Sequence, residues 1–186
     1  KEVIDLVRSE DFDVIIGFGG GSVIDFAKGL SIVARHDKSI WDYVNLSNKP
    51  PAKIYSDKLL PVIAIPTTSG TGSEVTPYSV VINQDTEQEG TIKDESIIPK
   101  AAIVDPSFTV ALPKEWTAIT GLDAFAHALE SLFNKENRTD YSDLIAMEAI
   151  RNIVQYLPLA FNDGNNMAAR EKVAYGATLA GMAISL

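Results

Sequence analysis

Residues 14–25 read Val-Ile-Ile-Gly-Phe-Gly-Gly-Gly-Ser-Val-Ile-Asp, an apolar run followed by four glycines within five positions. The apolar run predicts a strand buried on both faces, and a helix is expected from Ser22 to about Arg35. Glycines between a strand and a helix let the backbone turn tightly, and a helix N-terminus attracts phosphate. The segment therefore predicts a phosphate-binding turn, with a plain turn capped by Ser22 and Asp25 as the alternative.

Strands and helices alternate on both sides of this turn. Besides the elements above, the pattern predicts a helix over 1–10 and strands over Val62–Ile65, Tyr78–Ile82 and Ala101–Val104. It also predicts a surface connection over His36–Lys58 and a charged hairpin or excursion over Asn83–Gly90. After Pro113 only helices are predicted, over Glu115–Phe133, Ser142–Leu157 and Met167 to the end. The fold class is therefore α/β, with an incomplete parallel-sheet domain over 1–116 and an incomplete all-helical domain over 117–186.

Composition excludes several classes of protein. The 186 residues carry a formal net charge of -9, which argues against nucleic acid as a partner. The absence of cysteine excludes disulfides, a thiol nucleophile and cysteine-based metal sites. No apolar run has membrane-spanning length and no leader is recognisable, so a soluble, cytoplasmic protein is expected. Both ends fall inside helical or apolar patterns, so we expect an interior piece of a longer chain.

A second polar loop follows the next predicted strand. Pro66–Glu74 is rich in Thr, Ser and Gly, and hydroxyl groups at the carboxyl end of a parallel strand suit a polar ligand. The alternative is a polar connection without a ligand. A serine hydrolase is excluded, because Gly-Thr-Gly-Ser is not a nucleophile elbow and the two histidines are scattered.

The helix predicted after Pro113 carries a candidate metal pair. Asp123 and His127 are four residues apart and project from one helical face, where an oxygen and an imidazole ligand can bind one divalent ion. The alternative is the polar edge of an amphipathic helix. The predicted apolar stripe consists of Leu122, Phe125, Ala126, Leu129, Leu132 and Phe133.

Together these stretches resemble the iron-containing (group III) alcohol dehydrogenase family. The motifs are Gly-Gly-Gly-Ser-x-x-Asp-x-Ala-Lys (19–28), Pro-Thr-Thr-x-Gly-Thr-x-Ser-Glu (66–74), Ala-Ile-Val-Asp-Pro (102–106) and Gly-x-Asp-Ala-x-x-His-Ala-x-Glu (121–130). They occur in the family's order, and the resemblance covers essentially the whole chain. It implies a dinucleotide-binding α/β domain followed by a helical metal-binding domain.

The resemblance also implies a reaction and a set of site residues. It implies an oxidoreductase that transfers a hydride between NAD or NADP and a small alcohol or aldehyde, assisted by a divalent metal, with iron favoured over zinc. The implied cofactor-binding residues are Gly19, Gly20, Gly21, Ser22, Asp25, Thr67, Thr68 and Thr71, and the implied metal ligands are Asp123 and His127. No catalytic acid or base is assigned. A homodimer or higher homo-oligomer is expected.

The sequence departs from the family pattern in three ways. Two further histidine ligands and the N-terminal strands that recognise adenosine are not in this chain, so the 186 residues alone are expected to be inactive. Where many members have Lys-x-x-Ile, this chain has Glu-Gly-Thr-Ile at 89–92. Two alternatives stay open: a glycerol-dehydrogenase-like or dehydroquinate-synthase-like enzyme, and an inactive nucleotide-binding fragment.

Overall fold

A computed structural model describes residues 2–47, 49–83 and 86–186. The α-helices are α1 (Glu2–Ser9), α2 (Gly21–Ala34), α3 (Lys114–Phe133), α4 (Asp140–Asn162) and α5 (Met167–Ser185). The strands are β1 (Ile15–Gly19), β2 (Val62–Pro66), β3 (Tyr78–Ile82), β4 (Glu89–Lys93) and β5 (Ala101–Ala102). Most predicted elements are confirmed, although α4 is longer and β5 shorter than the sequence indicates. Within the described ranges no helix has the length and apolarity needed to cross a membrane.

The predicted parallel sheet is confirmed. Its strand order is β1-β2-β5, and Gly17 pairs with Ala64, which pairs with Ala102. Helix α2 lies on one face so closely that a Cβ added at Gly17 would be 3.1 Å from the Ala27 Cβ. On the other face Ile16 and Phe18 are 58% and 54% exposed. The prediction that β1 is buried on both faces is therefore wrong, because only one face is covered by the described residues.

Strands β3 and β4 form an antiparallel hairpin, which favours the hairpin alternative for this stretch, although β4 itself is not predicted from the sequence. Residues 84 and 85 of the predicted turn lie outside the described residues. The stretch 36–58 is not the surface connection that we expected. Its Tyr43 and Val44 are buried, and they join Ile32 of α2 and Ile92 of β4 in one apolar cluster. The connection therefore fixes the hairpin against α2.

Helices α3, α4 and α5 pack around small side chains. Their shared core contains Ala124, Ala128, Ala146, Ala149, Ala177 and Ala180. The predicted apolar stripe on α3 is confirmed only in part, because Phe125 and Leu132 pack against this core whereas Leu122 and Phe133 are 59% and 76% exposed. The buried residues of α3 are Thr117, Gly121, Ala124, Ala128 and Ser131. The helices pack so closely that larger side chains do not fit at these positions. A Cβ added at Gly121, for example, would be 2.4 Å from Leu157 Cδ1.

This packing predicts that substitutions at two nearby residues of α3 change stability by very different amounts. Ala124→Leu inserts a larger side chain at a fully buried position, so we expect the free energy of unfolding to fall by about 1–3 kcal/mol. Leu122→Ala, at an exposed position, should change it by no more than about 0.5 kcal/mol. Urea denaturation of the 186-residue chain measures both. The reverse order of effects would show that the stripe read from the sequence faces the core.

Candidate functional site

The glycine turn, Gly19–Ser22, leaves the start of α2 without a side-chain cap. Gly20 is the N-cap residue, in extended conformation, and in the described part of the chain α2 has no side-chain cap. The first amides of a helix have no partner within it, so they are free to bind an anion. The capping-box alternative is wrong, because Ser22 lies inside the helix and Asp25 makes other contacts.

The threonine loop, Pro66–Glu74, lies directly against the glycine turn. The Thr67 amide donates to the Gly19 carbonyl oxygen over 2.9 Å. A Cβ added at Gly20 would be 3.4 Å from Thr68 Cγ2, and one at Gly21 would be 2.5 Å from Thr71 Cγ2. No side chain fits at Gly21 unless Thr71 moves. The structure thus brings together the residues that the sequence indicates for the cofactor.

Asp25 attaches the threonine loop and β3 to α2. One carboxylate oxygen accepts a hydrogen bond from the Ser73 hydroxyl, and the other accepts from the Val80 amide over 3.1 Å. Burial raises the pKa of the Asp25 carboxyl, although these hydrogen bonds and the Lys28 charge oppose the rise. Both oxygens of Asp25 are therefore engaged by the protein itself.

Lys28 is a fully buried cation that sequence reasoning did not assign. Its ammonium donates to the carbonyl oxygens of Thr76 (2.9 Å) and Tyr78 (2.7 Å) and lies 4.0 Å from Asp25 Oδ1. Burial lowers the pKa of Lys28 to about 8, with the charges of Asp25 and Glu74 acting in the opposite direction. A lysine among Ile24, Ala27 and Leu30, which are all buried, is the signal that could have revealed it.

The candidate metal pair lies on α3. His127 Nε2 is 3.7 Å from Asp123 Oδ1, and the two side chains are 24% and 42% exposed. Two ligands that each lie about 2.0–2.2 Å from one ion are separated by roughly 3 Å, so a small rotation brings both onto it. His127 Nδ1 is buried and has no hydrogen-bond partner among the described residues, so it is free to donate to a further group when Nε2 binds the metal.

These donors fit two positions of a divalent metal site. Among the residues that the structure describes, no group of three or more His, Cys, Asp or Glu side chains could hold an ion. Glu130, near the same line in the sequence, is exposed. Two protein ligands hold a metal weakly, and catalytic sites of this kind use three or more.

The threonine loop also contacts the helices. A Cβ added at Gly70 would be 2.8 Å from Thr120 Cβ, so the loop backbone lies directly on α3, one turn before Asp123. Gly72, with φ of 64°, packs so closely on α5 that its added Cβ would be 2.6 Å from Gly181 Cα. The loop therefore lies between the glycine turn and the helix that carries the candidate metal pair.

Two family models match the sequence of this chain. "Iron-containing alcohol dehydrogenase" matches residues 1–106, and "Fe-containing alcohol dehydrogenase family, C-terminal" matches residues 117–186. The chain belongs to the iron-containing alcohol dehydrogenase family. It spans about half the length of the curated relatives it matches.

Three similar proteins illustrate the match. Long-chain-alcohol dehydrogenase 1 of Geobacillus thermodenitrificans is 41% identical over 98% of this chain and 45% of its own length. A mutant of an archaeal halo-thermophilic alcohol dehydrogenase from a Red Sea brine pool superposes with a TM-score of 0.94 and 39% identity, over 100% of this chain and 47% of that one. Sulfoacetaldehyde reductase from Bifidobacterium kashiwanohense, in complex with NAD⁺, superposes with a TM-score of 0.90 and 34% identity. The match covers 98% of this chain and 47% of that one.

The buried Lys28 predicts a pH dependence of stability. Below pH 8 the lysine is protonated in both states, so the cost of burying its charge is fully present. Between pH 8 and the ordinary pKa of 10.5 the folded lysine loses its proton first, so the free energy of unfolding rises. Relative to Lys28→Met, wild type should gain up to about 3 kcal/mol across this interval. Urea denaturation at several pH values tests this, and parallel pH profiles of the two proteins would contradict it.

Proposed function

We propose that the whole protein is an NAD-dependent oxidoreductase that transfers a hydride between the nicotinamide and a small alcohol or aldehyde, with the help of a divalent metal. The observation that carries the proposal is the position of the threonine loop, which contacts Gly20 on one side and Thr120, one turn from Asp123, on the other. Hydride transfer needs cofactor and metal-held substrate side by side. A loop in contact with both candidate sites supports such an arrangement.

The cofactor's pyrophosphate is proposed to bind at the glycine turn. The amides of Gly20, Gly21 and Ser22 begin α2 without a side-chain cap, and the absence of a Cβ allows a phosphate to approach them. Thr67, Thr68 and Thr71 are proposed to contact the same cofactor from the threonine loop. Asp25 acts indirectly, because its carboxylate already holds Ser73 and Val80. NAD is favoured over NADP by the NAD⁺ complex of the similar reductase.

Asp123 and His127 are proposed to supply two ligands of the metal, with iron favoured by the family and zinc as the alternative. When bound, the metal supplies Lewis-acid polarisation of the substrate oxygen, while the nicotinamide accepts or gives the hydride. The chain's own contribution is to hold and orient both groups. Because the described residues bring together only two ligands, we expect turnover to need further ligands from elsewhere in the whole protein.

The alternatives receive less support. Both family models are those of iron-containing alcohol dehydrogenases, which argues against a glycerol-dehydrogenase-like or dehydroquinate-synthase-like enzyme. We further propose a domain division at 116/117, supported by separate apolar clusters drawn from residues 32–97 and 124–183. A cytoplasmic location and a homodimer or higher homo-oligomer stay predictions.

Cofactor binding at the glycine turn is tested with Gly20→Val. Its side chain would occupy the space of a phosphate, so the Kd for NADH in the whole protein should rise at least about 10-fold, or about 1.4 kcal/mol. Fluorescence titration measures this. Gly29→Ala is the control. Gly29 lies about two and a half turns from Gly20 along α2, and its added Cβ would make only ordinary contacts, the nearest at 3.5 Å from Ile40 Cδ1. An unchanged Kd in Gly20→Val would place the pyrophosphate elsewhere.

The metal site is tested with His127→Ala and Asp123→Asn in the whole protein. Each removes one proposed ligand, so metal content and kcat should fall together while cofactor affinity stays unchanged. Elemental analysis, turnover and NADH titration give the three readouts. Glu115→Gln, an exposed carboxylate at the start of α3, is the control and should retain its metal. Normal metal content and turnover in His127→Ala would contradict the metal site. Asp123 and His127 would then be part of the polar edge of an amphipathic helix.

A further inference from the structure

Glu74, the last residue of the threonine loop, has a buried carboxylate. The residue is 5% exposed, and its Oε1 accepts a hydrogen bond of 2.8 Å from the Thr178 hydroxyl of α5. The two residues are 104 positions apart in the chain. The bond therefore joins the loop that faces the glycine turn to the bundle of α3, α4 and α5.

The same stretch of α5 holds the loop at a second point. Thr178 and Gly181 are three residues apart, so they lie on one face of the helix. Gly181 is in backbone contact with Gly72, and a Cβ added to it would be 2.9 Å from the Gly72 oxygen. A directional hydrogen bond and a close backbone contact thus fix two neighbouring points of the loop on α5.

A carboxylate at this position has an energetic cost. Burial raises the pKa of Glu74, against the hydrogen bond from Thr178 and the charge of Lys28. An apolar pair of similar shape would often be no less stable than a buried charged group. A hydrogen bond in a low-dielectric interior fixes the direction and the length of a contact. An apolar pair fixes neither.

We infer that Glu74 and Thr178 are positioning residues, whose hydrogen bond holds the threonine loop in register on α5 and so helps to orient the cofactor relative to Asp123 and His127 in the same helical bundle. This inference rests on the proposed function. Independently of α5, the loop is held to the glycine turn by the Thr67 amide and to α2 by the bond between Ser73 and Asp25. Loss of the bond to Thr178 should therefore leave cofactor binding intact and misplace the nicotinamide relative to the substrate. A displacement of about 1 Å can cost roughly 100-fold in rate.

The test compares three variants of the whole protein. Thr178→Val removes the hydroxyl at nearly constant volume, and Thr178→Ser restores it. Ser131→Ala is the matched control, because it also removes one buried hydroxyl, which donates to the Ala183 oxygen over 2.9 Å between α3 and α5, away from the threonine loop. For each variant we would measure kcat, the Kd for NADH, metal content and Tm.

We expect kcat of Thr178→Val to fall at least about 10-fold, with the Kd for NADH and the metal content unchanged. Thr178→Ser should recover most of the turnover, and Ser131→Ala should lower Tm comparably while keeping the wild-type kcat. An unchanged kcat in Thr178→Val, or an equal loss in Ser131→Ala, would overturn the inference and leave the proposed function standing. A wild-type protein with its metal and no alcohol-dependent NAD reduction would overturn both.

Discussion

The close approach of the threonine loop to its neighbours is the constraint on which the rest of the structure depends. Its backbone lies on α3 at Thr120 and on α5 at Gly181, at distances that leave no space for a Cβ at Gly70 or Gly72. Gly72 also has a positive φ, which only glycine adopts without strain. Larger residues there would push the helices away from the sheet. The separation of the two candidate sites would then change with them.

The helices can meet the loop because they first meet one another closely. Alanine and glycine along α3, α4 and α5 let the three axes approach, and a large residue in the seam would separate them. The buried Arg170 adds a polar contact to this packing: its guanidinium donates to Thr117 Oγ1 of α3 over 2.9 Å. The position of Asp123 and His127 thus depends on residues that take no part in metal binding.

Buried charges under the glycine turn have a similar supporting role. Lys28 donates to the carbonyl oxygens of Thr76 and Tyr78, so its buried ammonium is hydrogen-bonded to the backbone at the start of β3. Asp25 lies beside it and accepts from Ser73. The charges of Asp25 and Glu74 partly offset the energetic cost of burying Lys28, and the charge of Lys28 partly offsets the cost of burying Glu74. Together they hold the cofactor side of the threonine loop to α2, while Glu74 and Thr178 hold its other side to α5.

The sequence by itself determined the element order, the parallel sheet, the glycine turn and the i, i+4 pair on α3, because each depends on local spacing and on glycine at a strand-to-helix junction. It misassigned the buried face of α3, since apolarity indicated Leu122 whereas close packing selected Ala124. The contact of Glu74 with Thr178 crosses 104 residues and leaves no periodic signal. Such pairs, and the distance between the two candidate sites, are decided only when the helices pack on the loop.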